Sequence, residues 1–133
     1  MKTLRVCIGC NDGVRLAPTH MGDTRRFLIY DVYQDQQATF VDERENTAID
    51  MEHAGREKMA AVIEILSDAD VFVGTKKSPN FRKIAANTRY QPVVVKATTI
   101  HETLDVIKRS FPQIRDLVVA RQNGERTETY PEY

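Results

Sequence analysis

The sequence predicts an α/β protein on a mixed five-stranded sheet, strand order 3-2-1-4-5, with helices on both faces. Three observations carry this. Alternating or apolar runs in the first third read as three consecutive strands. Two later short apolar runs, each bounded by turn residues, read as buried parallel strands. Helical periodicity lies between and after them. A meander followed by two right-handed β-α-β crossovers then puts the fourth strand beside the first and the fifth outside it.

Leu4, Val6 and Ile8 alternate with Arg5 and Cys7, and Gly9 ends this first strand. Cys7 therefore points away from the Val6 and Ile8 face. Asn11-Asp12-Gly13 is a turn, since Gly tolerates positive φ and Asn or Asp side chains bond nearby backbone. Residues 14–24 read as a polar loop interrupted by Pro18 and Gly22. Phe27 to Tyr33 is too short and too apolar for an amphipathic helix, so it is the second strand. After the polar turn Gln34 to Gln37, Ala38 to Arg44 forms the third, antiparallel to the second.

Met59, Val62, Ile63 and Leu66 mark one buried helix face, with Thr47 or Asp50 as candidate N-caps and Asp68-Ala69-Asp70 as the stop. Val71 to Gly74 is the fourth strand. Ser78-Pro79 is a helix start, and Phe81, Ile84 and Ala85 form that helix's buried face. Tyr90-Gln91-Pro92 breaks it before the fifth strand, Val93 to Val95. Thr99 and Glu102 fit a capping box, and Ile100, Leu104 and Ile107 carry a third helix to Ser110. Ile114, Leu117 and Val118 fit another helix face after Pro112, while Leu117 to Ala120 fits a short strand equally well. Gly124 ends either element. The expectation is one domain over residues 1–124 and a polar tail over 125–133.

A length of 133 residues suits a single domain with a real core. The formal net charge of zero argues against broad nucleic-acid binding, which draws on a cationic surplus. No apolar run approaches the ~18 residues of a membrane span. The start of the chain goes straight into a strand pattern, without the apolar run of a signal peptide. A cytoplasmic location is expected, with both cysteines reduced.

Ligands in such sheets sit beyond the carboxyl ends of the parallel strands. Four features fall at that edge. His20 is a loop imidazole able to reach a metal, although most loop histidines are simply solvated. Cys7-Ile8-Gly9-Cys10 has CxxC spacing, but it spans a strand end, where redox pairs do not gain their reactive thiolate. Cys10, at the loop entrance, is the better ligand candidate; Cys7 reads as packed. Two cysteines cannot make a four-cysteine site, so a metal needs histidine, a partner chain or exogenous ligands. Arg25 and Arg26, with Lys76 and Lys77, are two cationic pairs at one edge, and the helix start at Ser78 offers free N–H groups to an anion. His53 reads as solvent-facing and His101 as part of a capping turn.

Asn11-Asp12-Gly13, Thr19-His20-Met21-Gly22 and Phe27-Leu28-Ile29-Tyr30-Asp31-Val32 together resemble the dinitrogenase iron–molybdenum cofactor biosynthesis family, which includes NifX-type proteins, the NafY core domain and the C-terminal part of NifB. The resemblance extends more loosely to Ala69 to Gly74, Pro79-Asn80 and Pro92-Val93. It implies an RNase H-like three-layer fold and a role in carrying iron–sulfur or iron–molybdenum clusters or their precursors, in exchange with donor and acceptor proteins. The family's loop histidine corresponds to His20. Its usual phenylalanine is Met21 here, and its glycine-rich segment after the fourth strand is Thr75-Lys76-Lys77-Ser78.

The leading expectation is thus a non-catalytic cluster carrier, with His20 as ligand, Cys10 as a possible second, and the four cations offsetting an anionic cluster. The alternatives are an RNase H-like nuclease or nucleic-acid binder, and a small-anion-binding interaction module. The nuclease needs clustered carboxylates. The first strand carries none, and Asp31 and Asp70 are scattered.

Overall fold

A computed structural model describes residues 1–51 and 55–133. Its elements are β1 (Thr3–Cys10), a 3-10 turn (Met21–Asp23), β2 (Arg26–Tyr33), β3 (Ala38–Glu45), α1 (Arg56–Ile65), β4 (Val71–Gly74), α2 (Pro79–Asn87), β5 (Gln91–Val94), α3 (Ile100–Arg109) and α4 (Phe111–Gln122). The sheet order is β3-β2-β1-β4-β5, as expected. β1 pairs antiparallel with β2 and parallel with β4, and β5 is parallel to β4.

Side-chain alternation divides the core in two. Leu4, Val6, Ile8 and Cys10 of β1, with Val71, Val73 and Val93, pack against Ile100, Ile107, Phe111, Ile114 and Val118 of α3 and α4. Cys7, Phe27, Ile29 and Phe72 face the other way, against Val62, Leu66, Phe81 and Ile84 on the α1 and α2 side. Both faces are covered, so the central strands read as continuous apolar runs.

Local signals explain most boundaries. Ser78 Oγ accepts from Phe81 N–H (3.1 Å) and Thr99 Oγ1 from Glu102 N–H (3.1 Å), which fixes the starts of α2 and α3. The ambiguous segment after Pro112 is the helix α4. It closes in a Schellman arrangement: Gly124 at φ 93° donates to Arg121 O (3.0 Å), and Glu125 N–H to Ala120 O (3.0 Å).

Several boundaries differ from expectation, four of them by more than a frayed end or with consequences for the site. α1 is capped by Gly55, not by Thr47 or Asp50, which lie in turns. β1 runs one residue past Gly9, to Cys10. β5 begins at Gln91 and takes in Pro92, which an edge position tolerates. The chain after Gly124, read as a polar tail, returns to the sheet edge: Val94 N–H donates to Pro131 O (3.1 Å), Tyr133 N–H to Val94 O (2.8 Å) and Lys96 N–H to Tyr133 O (2.8 Å). No described helix is long and apolar enough to cross a membrane. His53 lies outside the described residues.

Candidate functional site

The segment after β1 folds back over the carboxyl end of the sheet. Ala17 N–H donates to Gly9 O (3.1 Å), Leu16 N–H to Thr98 O (3.0 Å) and Ile100 N–H to Val14 O (2.9 Å). His20 then caps the 3-10 turn in an extended conformation, its carbonyl accepting from Asp23 N–H (2.9 Å). It is half-buried, and Met21 beside it is buried in the α1 and α2 core.

Two contacts that the sequence did not single out fix this turn. Asn46, 1% exposed, donates through Nδ2 to Gly22 O (2.9 Å) and Thr24 O (2.8 Å), and its Oδ1 accepts from Ala48 N–H (3.0 Å). Lys58 of α1, 4% exposed, places Nζ 2.6 Å from Asp23 Oδ1 and 3.3 Å from Ile49 O. Position 58 is in helical phase with Val62, which was the available signal of burial. Thr24 Oγ1 donates to Met21 O (3.0 Å) and packs over Gly9, where a Cβ would lie 2.8 Å from Thr24 Cγ2.

His20 stands at a slot of about 40 Å³ lined by Met21, Lys58, Met59, Phe72, Asn80 and Phe81, among others. That is near the space of one water, so any larger guest meets the imidazole from outside. Ser78, at the start of α2, lines the same slot, with its Oγ accepting from Phe81 N–H.

The other expected residues are not gathered around His20. Cys10 is fully buried on the α3 and α4 side, the opposite face from Met21, and so does not join His20. Burial pushes its thiol up, against an opposing Gly13 backbone hydrogen bond, and pushes the Cys7 thiol up further. The thiolate is the ligating form, and burial disfavours it at both positions. Arg26 pairs with Glu43 (2.9 Å), and with Arg25 it lines a separate open depression shared with Glu43 and Glu45. Lys77 pairs with Glu132 (3.2 Å), while Lys76 lines a large cleft on the other side of the loop.

The scattered acids do meet, but at the far end of the sheet, and arginines engage them. Arg5 Nε and Nη2 bond both Asp31 oxygens (2.9 and 3.0 Å), Arg5 N–H donates to Asp70 (2.8 Å), and Arg44 and Arg5 share Asp68. Among the described residues, no three His, Cys, Asp or Glu side chains stand close enough to hold a metal ion.

A family model described as dinitrogenase iron-molybdenum cofactor matches residues 2–110, most of the chain. The chain belongs to this dinitrogenase iron–molybdenum cofactor family. Membership ties it to the biosynthesis or binding of that cofactor and to the proteins that build it. No curated protein matches the chain. The match spans β1 through α3, so the His20 turn, Asn46 and Lys58 all lie within the family region, whereas α4 and the returning edge segment lie beyond it.

Proposed function

We propose that this chain binds an iron–sulfur or iron–molybdenum type cluster, or a precursor, as cargo and passes it between donor and acceptor proteins without transforming it. The observation that carries this reading is the presentation of His20: one half-exposed imidazole, on a turn pinned by Asn46 and the Asp23–Lys58 pair, within a family of cofactor-handling proteins. A resident cluster is held by a closed set of protein donors, usually four thiolates. A cargo has to leave again, and a single histidine donor with the remaining valences met by the cargo's own ligands suits that requirement. Neutral imidazole binds metal through one nitrogen while the second is free to be oriented by the protein. Cys10, on the opposite face, takes no part in this proposal. The four cations line other parts of the surface, Arg25 and Arg26 one depression and Lys76 a separate cleft, and take no direct part in this proposal.

The experiment is anaerobic reconstitution with iron and sulfide, with and without molybdate, followed by absorption spectra and metal analysis. Wild type is expected to take up metal, Cys10→Ala to match it, and His20→Ala to lose most of it. Equal uptake by wild type and His20→Ala sinks the reading.

A further inference from the structure

The cargo reading leaves a second cleft unused. It has a volume of about 720 Å³ and lies beyond the carboxyl ends of β1, β4 and β5, where open α/β sheets bind their ligands. Its size is that of a small-molecule site. Leu16, Ala17, Pro18 and Val95 give it apolar walls. Each parallel strand end also sends in one cation: Arg15 after β1, Lys76 after β4 and Lys96 after β5. No ion pair engages any of the three among the described residues.

Two acids stand at the rim, each with its own partners, and the Asp12 charge also faces Arg15. Asp12 Oδ1 accepts from Val14 N–H (3.0 Å) and Arg15 N–H (2.9 Å), and Glu132 pairs with Lys77 (3.2 Å). The frame is rigid where it matters. Arg15 sits between two backbone hydrogen bonds to the β5–α3 connection, Leu16 N–H to Thr98 O (3.0 Å) and Ile100 N–H to Val14 O (2.9 Å). These bonds fix the backbone from which Arg15 projects; the exposed Arg15, Lys76 and Lys96 side chains are themselves ordered on binding, a cost the charge-assisted contacts have to exceed. Thr75 Oγ1 donates to Ala17 O (3.1 Å), tying the loop after β4 to the loop after β1, and no described residue lines both this cleft and the His20 slot.

We propose that this cleft binds a small organic anion bearing two or more negative charges on oxyanion groups, with its apolar body against Leu16, Pro18 and Val95, at a site separate from His20. Charge-assisted contacts from three strand ends recognise the oxyanions, and the apolar walls exclude bare inorganic ions as the preferred guest. Glu132 at the mouth opposes binding: its removal takes away one negative charge and releases Lys77.

The test is calorimetric titration of the full chain without metal, using citrate for the carboxylate arm, phenyl phosphate for the phosphate arm and acetate as the monovalent control. At least one multivalent probe is expected to saturate and acetate is not. The arm that saturates assigns the oxyanion type. The double variant Arg15→Ala/Lys96→Ala, both exposed positions, should weaken the bound probe by about tenfold or more. Glu132→Gln should tighten it about threefold, a gain that misfolding cannot imitate. His20→Ala should leave it unchanged, which separates failure here from failure of the cargo reading. Amide shifts should concentrate at Ala17, Thr75 and Lys96 to Thr98. Absence of saturation with both probes, indifference to the double variant, or shifts centred on Arg25 and Arg26 overturns the proposal.

Discussion

Replacing Asn46 by alanine should cost the protein far more than a loop substitution usually does. The side chain makes three hydrogen bonds, to Gly22 O (2.9 Å), Thr24 O (2.8 Å) and Ala48 N–H (3.0 Å). The last two are buried, and truncation leaves both backbone groups without a partner or water. Each such orphan costs about 1–3 kcal/mol. Gly22 is half-exposed and its carbonyl can turn to solvent, so it is assigned nothing. Two orphans at about 1.5 kcal/mol each, in the lower half of that range, give a loss of about 3 kcal/mol. With a urea slope of about 1.5 kcal/mol/M for a domain of this size, the midpoint should fall by about 2 M at unchanged slope. A fall smaller than about 0.5 M refutes the reasoning, because it means the turn is held by something other than Asn46. Asn46→Asp gives a sharper check. It keeps the acceptor for Ala48 N–H but sets a carboxylate against two carbonyls, which raises the folded-state pKa of the introduced group. A raised folded pKa contributes stability at low pH that is lost as pH rises through it. The aspartate variant should therefore recover part of its deficit on acidification, and the alanine variant should not.

The remaining predictions concern the same scaffold. Gly9→Ala drives a Cβ to within 2.8 Å of Thr24 Cγ2, an overpacking worth about 1–3 kcal/mol, and Thr24→Ala in the same chain should restore part of the lost thermal midpoint. Asp23→Asn leaves the Lys58 ammonium, 4% exposed, with only Ile49 O at 3.3 Å among its described partners and should cost about 3 kcal/mol; Lys58→Met should cost less, since the apolar side chain fills the same space without a stranded charge. Side-chain hydrogen bonds from Arg44 and then Arg5 hold the Asp68 carboxyl well below the usual carboxylate range. Its contribution is therefore complete above the unfolded value of about 3.9 and is lost as pH falls toward the folded one. Asp68 is 40% exposed, so Asp68→Asn should cost only about 1 kcal/mol at neutral pH and should flatten the acid limb of an unfolding-versus-pH series.

The fold was legible where one residue type has one physical use. Uniform apolar runs specify strands covered on both faces, and Ser78-Pro79 and Gly124 mark helix ends because a side-chain acceptor and a positive φ are needed there. The start of α1 was not legible, for a reason visible in the structure. Asn46 Oδ1 accepts from Ala48 N–H and turns the chain, so Thr47 and Asp50, good caps by composition, are spent in turns, and the helix begins from Gly55, which has no side chain to cap it. The edge segment after Gly124 was hidden because its attachment to β5 runs through backbone N–H and C=O groups, which every sequence possesses.

At the site, one residue of strand length decided the fate of Cys10. With β1 ended at Gly9, Cys10 falls in the loop and reads as a ligand; with β1 continued, strict alternation places it on the Val6 and Ile8 face and buries it. The four cations failed to converge for a related reason. Strand order gives the edge at which a loop emerges but not which acid lies opposite, and Arg26 meets Glu43 only through the β2–β3 register, which shifts at Ile29 and Tyr30. The placement of the His20 turn does not depend on a register. It depends on Asn46 from the end of β3, Lys58 from α1 and Thr24 over Gly9, three polar anchors from separate parts of the chain that meet on one short turn. On the cargo reading proposed above, a donor that gives up its cargo cannot be held in place by it, so the orienting energy would have to come from the protein, through those anchors.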